Sequence, residues 1–243
     1  MKAMILAAGL GTRLRPLTLD RPKPLLDVHG RPLIEYNLLL LRRYGIVDVI
    51  INLHHQGDAL RAALGSGDTL GVRIVYSPED PLLDTGGAIK NAASLLGDDD
   101  FLVLNGDTII DLPLDALLAA HRARRAAATL VLRHDPEQQR YGLVEIDGEE
   151  RIRRFLGRPA EVDTALVPYM FAGVHVLSSR VLDYMPDAGT TFSITRATYP
   201  AMLAADEGLY GFPFAGFWRV IDTAADLARA NAILEERPPL HFL

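Results

Sequence analysis

Short, almost continuous apolar runs alternate through the first half of the chain with stretches whose apolar positions recur every three or four residues. The runs at 3–8, 47–53, 72–76 and 101–104 have the length of strands. Between the first two, Pro32 can open a helix in its first turn, 33–44 carries the apolar face, and Gly45 supplies a stop. Residues 56–64, 88–96 and 114–125 read the same way. This alternation predicts parallel strands joined by crossover helices. The pattern changes at Tyr141: 142–147 and 151–155 flank Asp147-Gly148, a two-residue hairpin signal, so an antiparallel ribbon is expected. A strand at 170–177, a helix at 179–184, a strand at 217–221 and a last helix from 224 to 235 complete the pattern. The expectation is a three-layer α/β domain with a mixed, mostly parallel central sheet and an inserted β-ribbon. There is no internal repeat or low-complexity linker to divide it.

Composition narrows the function classes. With 243 residues, 49% of them hydrophobic, the chain can bury one substantial core, so 1–243 is expected to form a single domain. It has no cysteine, which excludes disulfides, thiolate metal sites and cysteine nucleophiles. The apolar start at 1–8 is too short for the core of a signal peptide, and no stretch approaches the ~20 apolar residues of a membrane span. A soluble, cytoplasmic protein that engages no membrane is expected. A net charge of −6 argues against a nucleic-acid partner, which needs a dominant basic face. Local arginines and lysines can still serve a small anion.

The first strand runs straight into Gly9-Leu10-Gly11-Thr12-Arg13, where glycines let backbone N–H groups approach phosphate oxygens. Alone, this reads equally well as a tight turn, and the Gly9/Gly11 pair is all that an NAD-dependent oxidoreductase reading would rest on. A dinucleotide fingerprint needs a third glycine where Leu14 stands, and a P-loop needs a subsequent Gly-Lys-Ser/Thr that is missing. The chain continues instead to Arg21-Pro22-Lys23-Pro24-Leu25, a lysine whose backbone is restricted by prolines on both sides.

The run from Leu6 through Ala8 and Gly9 to Thr18, with Pro22-Lys23-Pro24-Leu25 after it, resembles the signature of the sugar-1-phosphate nucleotidylyltransferases, or NDP-sugar pyrophosphorylases. The resemblance spans about residues 1–235. It is to short forms without a C-terminal hexapeptide-repeat β-helix, among them N-acetylmuramate-1-phosphate uridylyltransferases and mannose- or heptose-1-phosphate guanylyltransferases. It implies a Rossmann-like nucleotidyltransferase fold with an NTP-binding half at 1–130 and a sugar-phosphate-binding half at 131–243. It further implies an NTP and a sugar 1-phosphate as substrates, Mg²⁺ as cofactor, and a monomer or homodimer. By position, Leu6, Ala8, Gly9, Gly11, Thr12, Arg13 and Lys23 would hold the nucleotide, with Arg13, Lys23 and Asp107 catalytic.

Glu79 and Leu83-Asp84-Thr85-Gly86-Gly87-Ala88 resemble the family's base-recognition segment, where Gly86 would allow close approach of a planar base; a plain glycine turn before a helix explains the same residues. Asp107, after the apolar run 101–104 and Gly106, occupies the position of a family metal aspartate, and Gly106 would leave room for a ligand. Tyr141 and Gly142 resemble the start of the sugar ribbon. Arg158 stands where the family carries lysine, and Gly157 replaces its glutamate. Phe171 lies on a run, 170–177, that resembles the family's sugar-pocket strand; His175, alternating with apolar neighbours, reads as a strand residue with a satisfied hydrogen bond and not as a catalyst. In Trp218-Arg219-Val220-Ile221-Asp222-Thr223, Val220 stands where the family has its second metal aspartate, and the carboxylate is at Asp222. Two positions along a strand move a side chain by about 7 Å. Asp222 then reaches the metal only if the backbone compensates, and otherwise caps the last helix. These departures support a competing expectation, a nucleotide-sugar-binding regulatory homologue with impaired catalysis.

Overall fold

The computed structural model describes residues 1–135, 142–237 and 239–243. The chain forms two compact units, each assembled from separated segments. The first comprises Met1–Leu82, Leu104–Leu112 and Gly216–Leu243; the second comprises Leu83–Val103 and Pro113–Ala215. They interleave along the sequence and do not divide at 130.

In the first unit, β1 (Lys2–Leu6), β4 (Asp48–Leu53) and β5 (Arg73–Pro78) run parallel, with Ile5 opposite Ile51 and Asn52 opposite Ser77. Their connections carry α1 (Leu33–Arg43) and α2 (Gly57–Leu64). In α1 seven of the eleven residues are buried apolar or aromatic ones, so it is a core helix more than a surface one. Its Tyr36 hydroxyl donates to the Val28 carbonyl at 2.8 Å. Fully burying one such leucine contributes about 1.5–3 kcal/mol. The expected stop is present: Gly45 (φ 72°) donates to Arg42 and Ile46 donates to Leu41, the paired bonds of a left-handed helix end. Pro32 is the N-cap and not a residue of the first turn.

Two short ribbons complete this unit, β2 (Asp27–Val28) with β3 (Arg31–Pro32), and β7 (Thr108–Ile110) with β13 (Trp218–Val220). The last helix, α7 (Ala224–Glu236), is capped by Thr223, whose hydroxyl accepts from the Asp226 N–H while the Asp226 carboxylate accepts from the Thr223 N–H. Asp222 is therefore not the cap.

The chain passes from the second unit into the first within β6 (Phe101–Asn105). In the second unit, α5 (Leu114–Arg124) leads to β8 (Ala128–Arg133), which lies between β11 (Val167–Leu177) and β12 (Leu209–Pro213). The sequence pattern marks neither β8 nor β12. The ribbon of β9 (Leu143–Ile146) and β10 (Ile152–Phe155) is antiparallel as expected. Its turn, however, is longer than Asp147-Gly148. The Asp147 carboxylate accepts from the backbone of Glu149 and Arg151, and the left-handed residue is Glu150 (φ 61°).

The helix expected at 88–96 starts earlier and breaks in two: α3 (Asp84–Asn91) and α4 (Ala93–Leu96). The segment 179–184 is a 3₁₀ helix, and α6 (Tyr199–Ala204) continues a π-turn at Ile194–Thr198. The α/β class with an inserted antiparallel ribbon holds.

Candidate active site

Three segments of the first unit bring charge together. The Pro22–Pro24 frame starts a 3₁₀ turn at Lys23–Leu25 with both prolines buried, which fixes where the lysine leaves the backbone. Its ammonium donates to Asp107 Oδ2 at 2.8 Å and to Asp222 Oδ1 at 2.9 Å. Arg13, on the 3₁₀ turn Thr12–Leu14, donates from a largely exposed guanidinium to the same Asp222 oxygen at 3.0 Å. The side chains of Lys23 and Asp222 are only 12% and 10% exposed, against 31% for Asp107, so the pairing is a half-buried one.

The position of Asp222 is set by where a strand ends. Val220 pairs with Thr108 as the last residue of β13, and the next backbone N–H, of Ile221, donates to the Asp107 carbonyl at 2.9 Å. Beyond it the Asp226 carboxylate gathers the N–H groups of Asp222 and Thr223 at 3.2 and 2.8 Å. Asp222 is therefore not two strand positions past Val220. It sits on a turn held by the helix cap, and its carboxylate meets Asp107 across Lys23. Of the two sequence alternatives for Asp222, the helix cap is overturned, since Thr223 takes that place.

Asp107 itself is placed by Gly106. The Gly106 N–H donates to the Leu6 carbonyl at 2.9 Å, and a Cβ at position 106 would lie 2.7 Å from that oxygen. The glycine is thus required by the close approach of β1, whatever room it also leaves beside Asp107. Asn37 of α1, almost fully buried, donates to the Asn105 carbonyl at 3.1 Å and fixes the same turn from its other side.

The glycine loop divides in two. Gly11 (φ 61°) faces Thr18 and Lys23, which a Cβ would meet at 3.1 and 3.2 Å, and Thr18 donates to its carbonyl. Gly9 is exposed, with nothing within 4 Å of where a Cβ would stand, and Thr12 is exposed too. At the start of the loop the Ala7 N–H donates to Asn52 Oδ1 at 2.6 Å, and Asn52 Nδ2 donates to Glu79 Oε1 at 2.7 Å. Asn52 carries no motif, and sequence reasoning missed it. Leu6 and Ala8 flank this contact, half-buried and buried respectively.

The remaining predicted residues belong to the second unit. The N–H groups of Gly86 and Gly87 both donate to the Phe192 carbonyl, at 2.9 and 3.1 Å. A Cβ on Gly86 would lie 2.3 Å from the Phe192 ring, and one on Gly87 2.4 Å from the Thr190 carbonyl. Packing against 190–194 is by itself enough to require both glycines. Gly142 (φ 83°) faces Leu156, and because Leu143 pairs with Met170, Gly142 and Phe171 occupy adjacent ladder positions. Arg158 is exposed on a turn closed by reciprocal bonds with the Phe155 backbone. Tyr141 lies outside the described residues.

His175 is fully buried, its Nδ1 bonded to the Tyr199 hydroxyl, and burial pushes its imidazole down to about 3. It is a hydrogen-bonded strand residue, as expected, and burial keeps it neutral.

Two carboxylates converging on one cation suit a hard divalent metal, since Mg²⁺ takes one or two protein carboxylates and completes its shell with water and substrate phosphate. No cluster of three or more candidate ligands occurs among the described residues, and Mg²⁺ does not require one. As paired oxygen donors, Asp107 and Asp222 are of the type a divalent metal takes.

Residues 2–237 match the family profile described as Nucleotidyl transferase. The chain is 37% identical over 96% of its length to a mannose-1-phosphate guanylyltransferase of Mycobacterium tuberculosis, and spans 64% of that relative. It is 35% identical over 86% of its length to a UTP–glucose-1-phosphate uridylyltransferase of Synechocystis, spanning 56% of it. Among solved structures, a Bacillus anthracis protein assigned as a glucose-1-phosphate thymidylyltransferase, in complex with sucrose, superposes with a TM-score of 0.83 at 26% identity, over 98% of this chain and 97% of the other.

Proposed function

The chain belongs to the nucleotidyl transferase family, and from that premise we propose that it transfers a nucleoside monophosphate from an NTP to a sugar 1-phosphate, releasing pyrophosphate. The observation that carries this reading is the Arg13–Asp222–Lys23–Asp107 cluster beside the glycine loop.

In the proposed reaction an oxygen of the sugar phosphate attacks the α-phosphorus in line. The new P–O bond forms as the bond to the β-phosphate oxygen breaks, and pyrophosphate departs with that electron pair. The nucleophile is already anionic near neutral pH, so no general base is needed. Displacement at phosphorus asks the protein mainly for position and charge. The exposed backbone around Gly9 is free of steric demands from the protein and would receive the triphosphate. Arg13, largely exposed, would swing from Asp222 to a phosphate oxygen. Lys23, held at a fixed root by its prolines, would bear on the phosphate under attack. Asp107 and Asp222 would hold Mg²⁺, which when bound supplies positive charge to bridging phosphate oxygens. In the second unit, Gly142, Arg158 and Phe171 would receive the sugar phosphate, Arg158 through its planar fork.

The Mycobacterium tuberculosis and Synechocystis relatives are named as a mannose-1-phosphate guanylyltransferase and a UTP–glucose-1-phosphate uridylyltransferase. For this chain, GTP with mannose or heptose 1-phosphate and UTP with N-acetylmuramate 1-phosphate are the pairs to try first. On the same reading the protein works in the cytoplasm as a monomer or homodimer. No helix among the described residues is long and apolar enough to cross a membrane.

The test is release of pyrophosphate from each of five NTPs, with Mg²⁺ and pyrophosphatase, across a panel of sugar 1-phosphates. Turnover with at least one pair is expected. Binding of nucleotide without any turnover would instead favour the regulatory reading that Val220 and Gly157 support.

A further inference from the structure

Asn52 stands at the carboxyl end of β4, the middle strand of β1, β4 and β5, where both neighbouring strands give way to segments implicated in nucleotide binding. On one side the pairing with β1 runs as far as Ile5 opposite Ile51, and the Ala7 N–H takes a side-chain acceptor, Asn52 Oδ1, at 2.6 Å. On the other side, β5 ends at Pro78, the Glu79 N–H donates to the Leu53 carbonyl at 2.8 Å, and the Glu79 carboxylate accepts from Asn52 Nδ2 at 2.7 Å. Asn52 is 4% exposed and Glu79 5% exposed, so neither bond is shared with bulk water. A short planar amide offers one acceptor and one donor, which is what these two neighbours require. Aspartate would set a second carboxylate against Glu79, and leucine would remove both the acceptor for the Ala7 N–H and the donor to the Glu79 carboxylate.

We propose that Asn52 is a positioning residue for the nucleotide: one amide locks the first residue of the phosphate loop and the Glu79 carboxylate in a fixed relation, so that triphosphate and base are received in register. Asn52 acts through Ala7 and Glu79 and does not touch the reacting atoms. The proposal rests on the reading that the loop and Glu79 face the NTP. Its signature is a loss in NTP affinity that reversal of the donor and acceptor repairs, which a purely structural tie has no reason to display.

The experiment is a double-mutant cycle on the full chain: Asn52→Asp, Glu79→Gln and the pair together, with NTP dissociation constants, KM, kcat and melting temperature for each. In the pair, aspartate accepts from the Ala7 N–H as asparagine does and from the new glutamine amide, so both bonds are rebuilt, the one to residue 79 with donor and acceptor exchanged. Each single variant is expected to weaken the preferred NTP at least tenfold with a smaller effect on kcat, and the pair to return to within threefold of the parent. Should Asn52→Asp fail to fold, Asn52→Ser, which keeps a small polar residue but cannot span both partners, is expected to weaken NTP at least tenfold while folded. Single-variant losses that simply multiply in the pair, or parental NTP affinity in folded Asn52→Ser, would overturn the proposal. If the unaltered chain binds none of the five NTPs, the functional reading itself falls; a multiplicative cycle in a protein that binds NTP removes only the role of Asn52.

Discussion

Replacing Lys23 with methionine keeps most of the apolar stem and removes the charge. The ammonium sits 2.8 Å from Asp107 Oδ2 and 2.9 Å from Asp222 Oδ1, which leaves the two oxygens within about 6 Å of each other. Two unit negative charges at that separation, in an effective dielectric of about 20, repel by about 3 kcal/mol. Asp107 is 31% exposed and Arg13 still pairs with Asp222 at 3.0 Å, so screening reduces the cost to about 1–2 kcal/mol. For a chain of this length that corresponds to a melting temperature about 3–6 °C below the parent's in EDTA. Millimolar Mg²⁺ between the carboxylates would offset the same repulsion, so the variant's melting temperature is expected to rise with Mg²⁺ by more than the parent's. Turnover moves the other way: losing a cation aimed at the phosphate costs about 10²–10³ in kcat. Thermal shift with EDTA or MgCl₂, and pyrophosphate release, read the two effects separately. Identical melting in EDTA together with an identical Mg²⁺ response in both proteins would refute the picture of one ammonium holding two carboxylates together.

Asp222→Asn and Asp107→Asn are each expected to lower turnover about 100-fold or more, and adding Val220→Asp to Asp222→Asn should restore little of it; recovery to near the parental rate would return the metal role to position 220. Gly86→Ala drives a methyl to 2.3 Å from the Phe192 ring and 2.9 Å from the Ile194 nitrogen, and should cost about 1–3 kcal/mol of stability in urea titrations, whereas an unchanged midpoint would show that 190–194 yields freely. His175, held down to about 3 by burial, titrates near 6.5 once unfolded. Its neutral burial thus favours the folded state fully above about pH 6.5, and that contribution is lost towards pH 3 as the unfolded chain takes up the proton, by up to about 1.4 kcal/mol per unit. Urea midpoints between pH 7 and 5 should fall less steeply in His175→Gln; an equal slope would count against it.

What the sequence made legible was whatever depends on neighbours along the chain. The apolar runs that became β1, β4, β5 and β6, the Gly45 stop and the ribbon around Asp147 are local patterns, and each formed within a few residues of its expected place. The glycines at 86, 87 and 106 were legible as constraints but not as to what constrains them. A missing side chain records that something approaches, and the fold shows the Phe192 ring, the Thr190 carbonyl and the Leu6 carbonyl doing so. β8 and β12 escaped for a related reason, since β12 runs parallel to a strand about 80 residues earlier in the chain and no adjacent turn announces the pairing.

The site was legible as a set of residues and obscure as an arrangement. Val220 and Asp222 differ by two positions, and on an extended strand that difference would put the carboxylate about 7 Å away. Whether it does so depends on where β13 stops, and that is decided by contacts the local pattern does not contain: the Ile221 N–H turning to the Asp107 carbonyl, and the Asp226 carboxylate drawing in the N–H groups of Asp222 and Thr223. A helix cap thereby determines where a charged group stands beside Lys23. Substitution of Asp226 by alanine removes the acceptor for both N–H groups while leaving every charge beside Lys23 in place. If the cap sets the geometry, Asp226→Ala should weaken Mg²⁺ binding and turnover together while the Lys23→Met and Asp226→Ala effects on Mg²⁺ affinity fail to add. Simple additivity between residues 23 and 226 would show that the cap and the lysine act independently, and would refute the cap as what sets Asp222 against Lys23.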